Sequence, residues 1–180
     1  CENLQVLGVH TDGGMRKLFT LPARKLHKAT SLTMEQLALV ETLAIGCHAV
    51  DRAAPQPGED VLVIGAGPIG ALHVLLNRIA GAKKIMVADI RQVRLDMIKE
   101  FGADVTINTS DVALKEAVQQ ETNGRGADVV ITAVSVPEIQ TQAVELLATH
   151  GRVNFFGGLG KNVVVPIDTN RVHYRGLKLV

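Results

Sequence analysis

The segment VLVIGAGPIGAL, residues 61–72, combines a run of apolar residues with three glycines at a fixed spacing. Gly65, Gly67 and Gly70 form the pattern G-x-G-x-x-G directly after a predicted strand and at the start of a predicted helix. In such a turn the first glycine permits a tight bend, the second lets a pyrophosphate approach the backbone, and the third lets helix and strand pack closely. The pattern therefore predicts a dinucleotide phosphate site at the N-terminus of the helix.

From residue 61 onward, short apolar runs alternate with segments of helical periodicity, and each such segment has a glycine near its end. This alternation predicts an α/β fold with a doubly wound, six-stranded parallel sheet, the Rossmann architecture. The predicted strands are 61–65, 84–89, 105–108, 128–132, 152–157 and 177–180, and the predicted helices are 68–82, 91–103, 113–124 and 137–151. Residues 158–176 contain a proline and no clean helical period, so we predict an irregular connection there.

The first part of the chain has a different pattern of residue types. Residues 1–36 mix turn residues with short apolar pairs, which fits loops and short strand pieces. A helical run follows, with Thr33 as its N-cap and Glu35 early in it. We therefore predict a domain boundary near residue 36, with one domain over 1–36 and a second, holding most of the core, over 37–180.

Composition argues against several functional classes. The 19 Lys and Arg residues balance 18 Asp and Glu, and only 3% of residues are aromatic, so we expect no nucleic-acid partner. The longest stretch without formal charge, residues 61–77, is shorter than a membrane span and contains a proline and three glycines, so we expect no membrane partner. Two cysteines are too few for a disulfide framework, and the first ten residues do not resemble a secretion signal. These features predict a cytoplasmic protein.

An acidic residue follows the glycine turn at the expected distance. Asp89 closes the second predicted strand, 19 positions after Gly70. A carboxylate there accepts hydrogen bonds from ribose hydroxyls and repels a 2′-phosphate, so we expect NAD rather than NADP. Arg91 and Arg94 could reach a phosphate or simply lie on a solvated helix face, and both interpretations stay open. An S-adenosylmethionine-dependent methyltransferase is a further alternative, which Pro68 at the helix start and the sixth strand disfavour.

At this point the sequence resembles a known family. Residues 59–104, EDVLVIGAGPIGALHVLLNRIAGAKKIMVADIRQVRLDMIKEFGAD, are similar to the cofactor domain of the zinc-dependent medium-chain alcohol dehydrogenases, in the branch of sorbitol, threonine and sugar-acid dehydrogenases. The segments CENLQVLGVHTDGG, ETLAIGCHAVDRAA and GRVNFFGGLGKNVVVPIDTNRVHYRG extend the resemblance over the whole chain. It implies a Rossmann domain preceded by a remnant of the GroES-like, zinc-binding catalytic domain.

The resemblance also implies a reaction. Members oxidise a secondary alcohol, such as a polyol, a sugar acid or an amino alcohol, to a ketone, with NAD accepting the hydride and zinc acting as a Lewis acid. A small alcohol or sugar-derived molecule is therefore the expected substrate. Because the lobe that carries most of the zinc ligands in the family has no counterpart here, we expect this chain to be a fragment without activity of its own. Two alternatives stay open: a non-catalytic nucleotide-binding module, and a zinc-free NADPH quinone-reductase-like enzyme, which Asp89 disfavours.

Individual residues take roles from the resemblance. Glu41 matches a glutamate next to the catalytic zinc and is the catalytic candidate. The alternative is a partly exposed helix acid. Cys1 matches the last of four cysteines that hold a structural zinc, and because its three partners are missing we expect no such site. The residues expected to bind the cofactor are Gly65, Gly67, Pro68, Ile69, Gly70, Asp89, Arg94, Ala133, Val134, Phe156 and Gly157.

Cys47 and His48 follow Glu41 on the same predicted helix, and we expect both to have structural roles. His48 lies seven positions after Glu41, a rise of about 10.5 Å along a helix, which is too far for one ion without other ligands. We therefore expect His48 to be a packed helix histidine and Cys47 to be a small buried apolar residue.

The last residues of the chain, 177–180, form an apolar run at the predicted sheet edge. An unpaired edge strand can pair with a second copy, and in the family this edge joins two subunits. We therefore predict a homodimer or tetramer through residues 177–180. The alternative is a short strand that frays.

Overall fold

The computed structural model describes residues 3–180, so Cys1, the predicted structural-zinc position, lies outside the described residues. The chain divides into two compact units between Leu37 and Ala38. In the described part of the first unit, regular structure consists of an isolated bridge between Leu7 and Thr11, a 3-10 helix at Ala23–Lys25 and the beginning of a long helix. The assignment of this unit to a catalytic-domain remnant stays a prediction.

The long helix, α1 (Met34–Ala53), starts with a capping box. Thr33 Oγ1 accepts a hydrogen bond from the Gln36 backbone N–H at 3.3 Å, and Gln36 Oε1 accepts one from the Thr33 N–H at 3.0 Å. Two of the N–H groups that a helix start leaves without a partner are thereby satisfied. The cap predicted at Thr33 is present.

The second unit is built on a six-stranded sheet. Its strands are β1 (Asp60–Ile64), β2 (Lys84–Asp89), β3 (Val105–Asn108), β4 (Ala127–Thr132), β5 (Leu147–Asn154) and β6 (Lys178–Leu179). Every neighbouring pair is parallel, and the order across the sheet is β3-β2-β1-β4-β5-β6. The remaining helices are α2 (Pro68–Ile79), α3 (Gln92–Lys99), α4 (Leu114–Glu121), α5 (Pro137–Glu145) and α6 (Thr169–Arg175). The predicted doubly wound parallel sheet is confirmed.

Helices cover both faces of this sheet. Leu62 and Ile64 of β1 pack on one side with residues of α4, α5 and α6, whereas Val61 and Val63 pack on the other side with residues of α1, α2 and α3. Because successive side chains of a strand point to opposite faces, a strand covered on both sides must be apolar throughout. This explains why β1 is buried along its whole length.

One predicted helix is too long. The sequence predicts a helix through residues 147–151, but α5 ends at Glu145 and these residues begin β5. The adjacent leucines at 146 and 147 suit the buried face of either element, so the apolar spacing did not mark the end. Pairing with β4 sets the boundary between α5 and β5, since Leu147 pairs with Ala127 of β4 and the Ala127 N–H donates to Leu146 O at 2.9 Å. β5 also ends at Asn154, three residues earlier than predicted.

The connection over 158–176 is not wholly irregular, because it contains α6. The Asp168 carboxylate accepts hydrogen bonds from the backbone N–H groups of Asn170 and Arg171, which caps the helix start. Gly176 ends the helix in a left-handed conformation with φ +60°. Seven residues are too few to show a helical period, so only the caps could have predicted this helix.

Among the described residues, no helix combines the length and the apolar character needed to cross a membrane.

Candidate cofactor site

A cleft of about 600 Å³ opens where the central strands end. Its walls come from the carboxyl ends of β1 and β2 and from the loops after β3 and β4. The strand order changes direction between β1 and β4, and in open α/β sheets a ligand crevice lies at such a point. Four of the predicted cofactor residues, Gly65, Asp89, Arg94 and Val134, line this cleft.

The protein's own packing requires two of the three motif glycines. Gly65 has φ +112°, and a Cβ atom there would lie 2.8 Å from Val134 Cγ1. A Cβ atom on Gly70 would lie 1.9 Å from the Gly65 carbonyl oxygen, a distance at which the backbone could not stay in place. The first and third glycines therefore have the roles predicted for them, a tight bend and a close helix contact.

Gly67 differs from the other two glycines. It is the N-cap of α2 with φ −77° and ψ −174°, a conformation open to any residue, and a Cβ atom there would meet nothing within 4 Å. No described side chain caps α2, so the first-turn N–H groups of this helix lack side-chain acceptors. Fold stability does not explain a glycine at this position, whereas close approach of a ligand would explain it.

Pro68 and Ile69 complete the turn. Pro68 is the first residue of α2 and is exposed, and Ile69 is half-buried. Gly67, Pro68 and Arg94 also line a smaller apolar cleft of about 320 Å³ next to the glycine turn. Proline suits this position because the first helical residue has no intrahelical use for an N–H.

Asp89 ties the glycine turn to the second strand. Its Oδ2 accepts a hydrogen bond from the Ala66 N–H at 2.8 Å, and its Oδ1 accepts one from the Arg91 N–H at 2.9 Å. Arg94 Nη1 lies 3.8 Å from Oδ2, and the Asp89 side chain is only 6% exposed. A carboxylate offers about four lone-pair positions, so these bonds leave acceptor capacity for a ribose hydroxyl. Arg94 offsets part of the negative charge that would repel a 2′-phosphate.

The predicted residues after β4 and β5 lie side by side. The Ala133 N–H donates to Ile64 O at 2.8 Å, and the Gly157 N–H donates to Thr132 O at 2.7 Å. A Cβ atom on Gly157 would lie 2.2 Å from Val134 O, so only glycine fits where these two loops meet. The structure thus brings Ala133, Val134 and Gly157 together at the carboxyl end of the sheet.

Phe156 packs edge-on against a buried histidine of α2. The ring centroids of Phe156 and His73 are 4.7 Å apart at an interplanar angle of 84°. Burial lowers the pKa of His73 to about 4, and neither ring nitrogen has a hydrogen-bond partner among the described residues. His73 is therefore a neutral packing residue at neutral pH. Sequence reasoning did not single it out, because one polar residue in an apolar helix face has no signature.

The predicted metal residues do not form a site in the described chain. Glu41 is exposed on α1 and does not line the cofactor cleft. Residues 3–180 hold no group of three or more His, Cys, Asp or Glu side chains placed to share an ion. A zinc ion thus does not fit these residues alone, and the role of Glu41 stays a prediction.

Two predictions on α1 are wrong. Cys47 and His48 are both exposed, because α1 buries only small residues, Gly46, Ala49 and Ala53, in the described structure. Gly46 sits so close to Leu76 of α2 that a Cβ atom would lie 2.9 Å from Leu76 Cδ1. This close helix contact, rather than Cys47 or His48, fixes the inward face of α1.

Helix α5 supplies contacts that the sequence did not reveal. Ile139 and Gln142 line the cleft, and buried Gln140 donates from Nε2 to Gly157 O at 2.8 Å. These residues fall at ordinary helical spacing, and their partners lie on loops far along the chain. Only the tertiary structure could identify them.

Comparison with known proteins identifies the family. Residues 68–180, more than half of the chain, match the family described as zinc-binding dehydrogenase. The chain belongs to the zinc-binding dehydrogenase family. The resemblance seen in the sequence is confirmed. The chain is 32% identical over 182 residues to the 2-dehydro-3-deoxy-L-galactonate 5-dehydrogenase of Pseudoalteromonas atlantica, a match that covers 100% of this chain and 52% of that protein.

Solved structures agree with this assignment to the zinc-binding dehydrogenases. A zinc-binding dehydrogenase structure from Sinorhizobium meliloti 1021 bound to NADP superposes with a TM-score of 0.90 at 29% identity, covering 99% of this chain and 53% of that one. An alcohol dehydrogenase from Escherichia coli CFT073 in complex with NADH gives a TM-score of 0.90 at 30% identity, covering 99% and 52%. The chain spans about half the length of the curated relatives that it matches.

Proposed function

We propose that this chain is the NAD-binding half of a dehydrogenase that oxidises a secondary alcohol to a ketone. Gly67 carries the proposal, because it is a glycine that the fold does not need, at a helix start that no described side chain caps. The pyrophosphate would lie on this helix start, where N–H groups and the helix dipole favour negative charge. The NADP and NADH complexes of the two structural relatives support a dinucleotide in the same fold.

Asp89 supports NAD over NADP. Its buried carboxylate already holds the glycine turn through Ala66 and keeps lone pairs for ribose hydroxyls. A 2′-phosphate would have to approach this negative charge, with Arg94 at 3.8 Å as partial compensation. We therefore propose that the site binds NAD more tightly than NADP without excluding NADP.

The reaction belongs to a longer protein. The substrate class that we propose is a polyol, a sugar acid or an amino alcohol, and the sugar-acid dehydrogenase of Pseudoalteromonas atlantica supports the second of these. The part played by this chain is to bind the cofactor and to hold its nicotinamide end near Phe156 and Gly157. Zinc ligands are not assembled among the described residues, so a position of Glu41 beside a zinc ion is proposed only for that longer protein.

The first test is calorimetric titration with NAD and NADP. We expect wild-type protein to bind NAD more tightly than NADP, and Gly67→Ala to weaken NAD binding about tenfold or more, because its Cβ atom occupies the space of the pyrophosphate. Its Tm should stay close to that of wild type, since the new atom touches no protein atom. Gly14→Ala is the matched control, because its Cβ atom would make only an ordinary contact, 3.7 Å from Phe19.

Asp89→Ala tests the cofactor preference in the same experiment. We expect it to remove most of the discrimination between NAD and NADP, because the charge that opposes the 2′-phosphate is gone. Binding of neither dinucleotide by wild-type protein would reject the proposed function. Unchanged NAD affinity in Gly67→Ala would reject the pyrophosphate position.

A non-catalytic binding module is the second candidate, favoured by the missing metal group in residues 3–180. An assay with NAD, added zinc and a panel of polyols tests whether this chain alone is such a module. We expect no turnover by this chain, and measurable turnover would reject the module.

We also propose a homodimer or tetramer through the edge strand. β6 pairs with β5 on one side only and stands at the edge of the sheet, and nearby Tyr174 is 81% exposed. Light scattering over a range of concentrations tests this, and a monomer mass at every concentration would contradict it. A cytoplasmic location is likewise our proposal, supported by the thiol of Cys47, which forms no disulfide with a described residue.

A further inference from the structure

The residues that follow β5 are fixed from two sides. The Gly157 N–H donates to Thr132 O at 2.7 Å, and the Gly157 carbonyl accepts a hydrogen bond from Gln140 Nε2 at 2.8 Å. Both polar backbone groups of one residue are thus engaged, one by the end of β4 and the other by a helix side chain. The missing Cβ atom of Gly157 permits this close approach to Val134.

Gln140 is an unusual residue for its position. It is 8% exposed on the face of α5 that also buries Ala143 and Val144, where an apolar side chain would pack without desolvating an amide. The hydrogen bond to Gly157 O is the contact that offsets this desolvation. The hydrogen bond from the buried Gln140 side chain therefore fixes the position of Gly157.

The site that Gln140 holds adjoins the cofactor cleft. Ile139 and Gln142, its neighbours on α5, line the cleft, and so does Val134, which contacts Gly157. Phe156, the residue before Gly157, packs from the other face of the sheet against His73 of α2. Gln140 and His73 thus hold residues 156–157 from opposite faces of the sheet.

We propose that Gln140 is a positioning residue for the nicotinamide half of the dinucleotide. It acts through Gly157, whose position it fixes, and does not itself touch the cofactor. This inference rests on the proposed function, because it assumes that the carboxyl end of the sheet binds a dinucleotide whose nicotinamide end lies near Phe156 and Gly157, as the family resemblance implies. It predicts that loss of the amide donor affects ligands that carry nicotinamide and spares ligands that lack it.

The test compares NADH with ADP-ribose, which has the same adenosine and pyrophosphate but no nicotinamide. Gln140→Met keeps the length and approximate shape of the side chain and removes the donor. We expect Gln140→Met to bind NADH about five- to tenfold more weakly than wild type, as the loss of one ordering hydrogen bond allows. Affinity for ADP-ribose should stay within about twofold, and the fluorescence of bound NADH should move toward that of free NADH.

Thr141→Val is the matched control on the same helix. Thr141 Oγ1 donates to Pro166 O at 3.2 Å, so the substitution also removes one bond from a side chain to a carbonyl, but away from residues 156–157. We expect its affinities for both ligands to match those of wild type. A purely structural role of Gln140 would instead lower the Tm of Gln140→Met and leave the ratio of its affinities for NADH and ADP-ribose unchanged.

Gln140→Glu gives a second, independent readout. Its carboxylate cannot donate to Gly157 O at pH 8, whereas its protonated form can, so NADH affinity relative to wild type should recover as the pH is lowered. If wild type binds both ligands and Gln140→Met loses neither or loses both equally, the positioning role is rejected and the proposed function stands. If wild type binds neither ligand, the proposed function fails and this inference fails with it.

Discussion

The two ends of the sheet differ in how their charged and polar groups are paired. At the amino end, Arg125 pairs with Asp60 and Asp128, Arg152 pairs with Glu59, Lys84 with Glu121 and Arg78 with Asp104. At the carboxyl end the structure describes one ion pair, Arg94 with Asp89, at the longer distance of 3.8 Å. There Gly65 lines the cofactor cleft, and Gly67 and Pro68 at the start of α2 line the smaller cleft next to it.

This difference separates stability from binding. Charges at the amino end neutralise one another, and that end therefore offers few unsatisfied groups to a ligand. At the carboxyl end, the loops that follow the parallel strands come together around the cleft, and the first turn of α2 has no side-chain cap. Substitutions at the amino end should accordingly change unfolding and spare the cofactor, whereas those at the carboxyl end can change the two properties separately.

Gly70→Ala should have the largest effect. A Cβ atom 1.9 Å from Gly65 O cannot be accommodated without moving the backbone of the turn, so we expect a loss of about 3 kcal/mol or more in the free energy of unfolding. Denaturant unfolding of Gly70→Ala beside Gly67→Ala measures it, because the two changes add the same methyl group three residues apart. Equal stability of the two variants would contradict the steric distinction between these glycines.

Arg125→Met at the amino end should have the next largest effect. Arg125 Nη2 lies 2.8 Å from Asp60 Oδ2 and 2.9 Å from Asp128 Oδ2, and these carboxylates are 11% and 18% exposed. Removing the cation leaves two poorly solvated negative charges together, so we expect a loss of about 2 kcal/mol at pH 7. NAD affinity should not change. A loss of NAD affinity together with stability would contradict the conclusion that the amino end serves stability and the carboxyl end serves binding.

The pH dependence of the same variant sharpens this test. Burial acts to raise the pKa of Asp128, but hydrogen bonds and the charge of Arg125 outweigh it and hold the pKa below the ordinary value of 3.8. A lowered folded-state pKa contributes stability that is present above the ordinary value and is lost as the pH falls through the folded-state value. The wild type should therefore lose part of its advantage over Arg125→Met in acid. An advantage that does not change between pH 7 and pH 3 would contradict this origin.

The sequence predicts the residues of the glycine turn and Asp89 better than the helix residues that pack against the loops at this end of the sheet. Gly65, Gly70 and Asp89 were identified because local backbone geometry restricts those positions to particular residue types. Gln140 and His73 were not identified, since a helix face reveals its period but not what lies against it. The short helix α6 was missed for a third reason, as its signal lies in Asp168 and Gly176 at its ends rather than in a repeat.

His73→Leu should have the smallest effect at neutral pH and a growing one in acid. Burial lowers the pKa of His73 from 6.5 to about 4, so the unfolded chain takes up a proton between these values while the folded chain does not. The wild type therefore has its full stability above pH 6.5 and loses about 2 kcal/mol between pH 7 and pH 5 through this residue. At pH 7 the leucine should be neutral or slightly stabilising, because it removes two ring nitrogens that have no partner among the described residues.

The measurement is the difference in unfolding free energy between wild type and His73→Leu at pH 7 and pH 5. Contributions that do not involve His73 are common to the two proteins and cancel from this difference. NADH affinity at pH 7 should stay within about twofold of wild type if leucine keeps the apolar contact with Phe156. A pH-independent difference would mean that His73 is hydrated in solution. In that case α2 would be less tightly packed behind the cleft than the contact with Phe156 indicates.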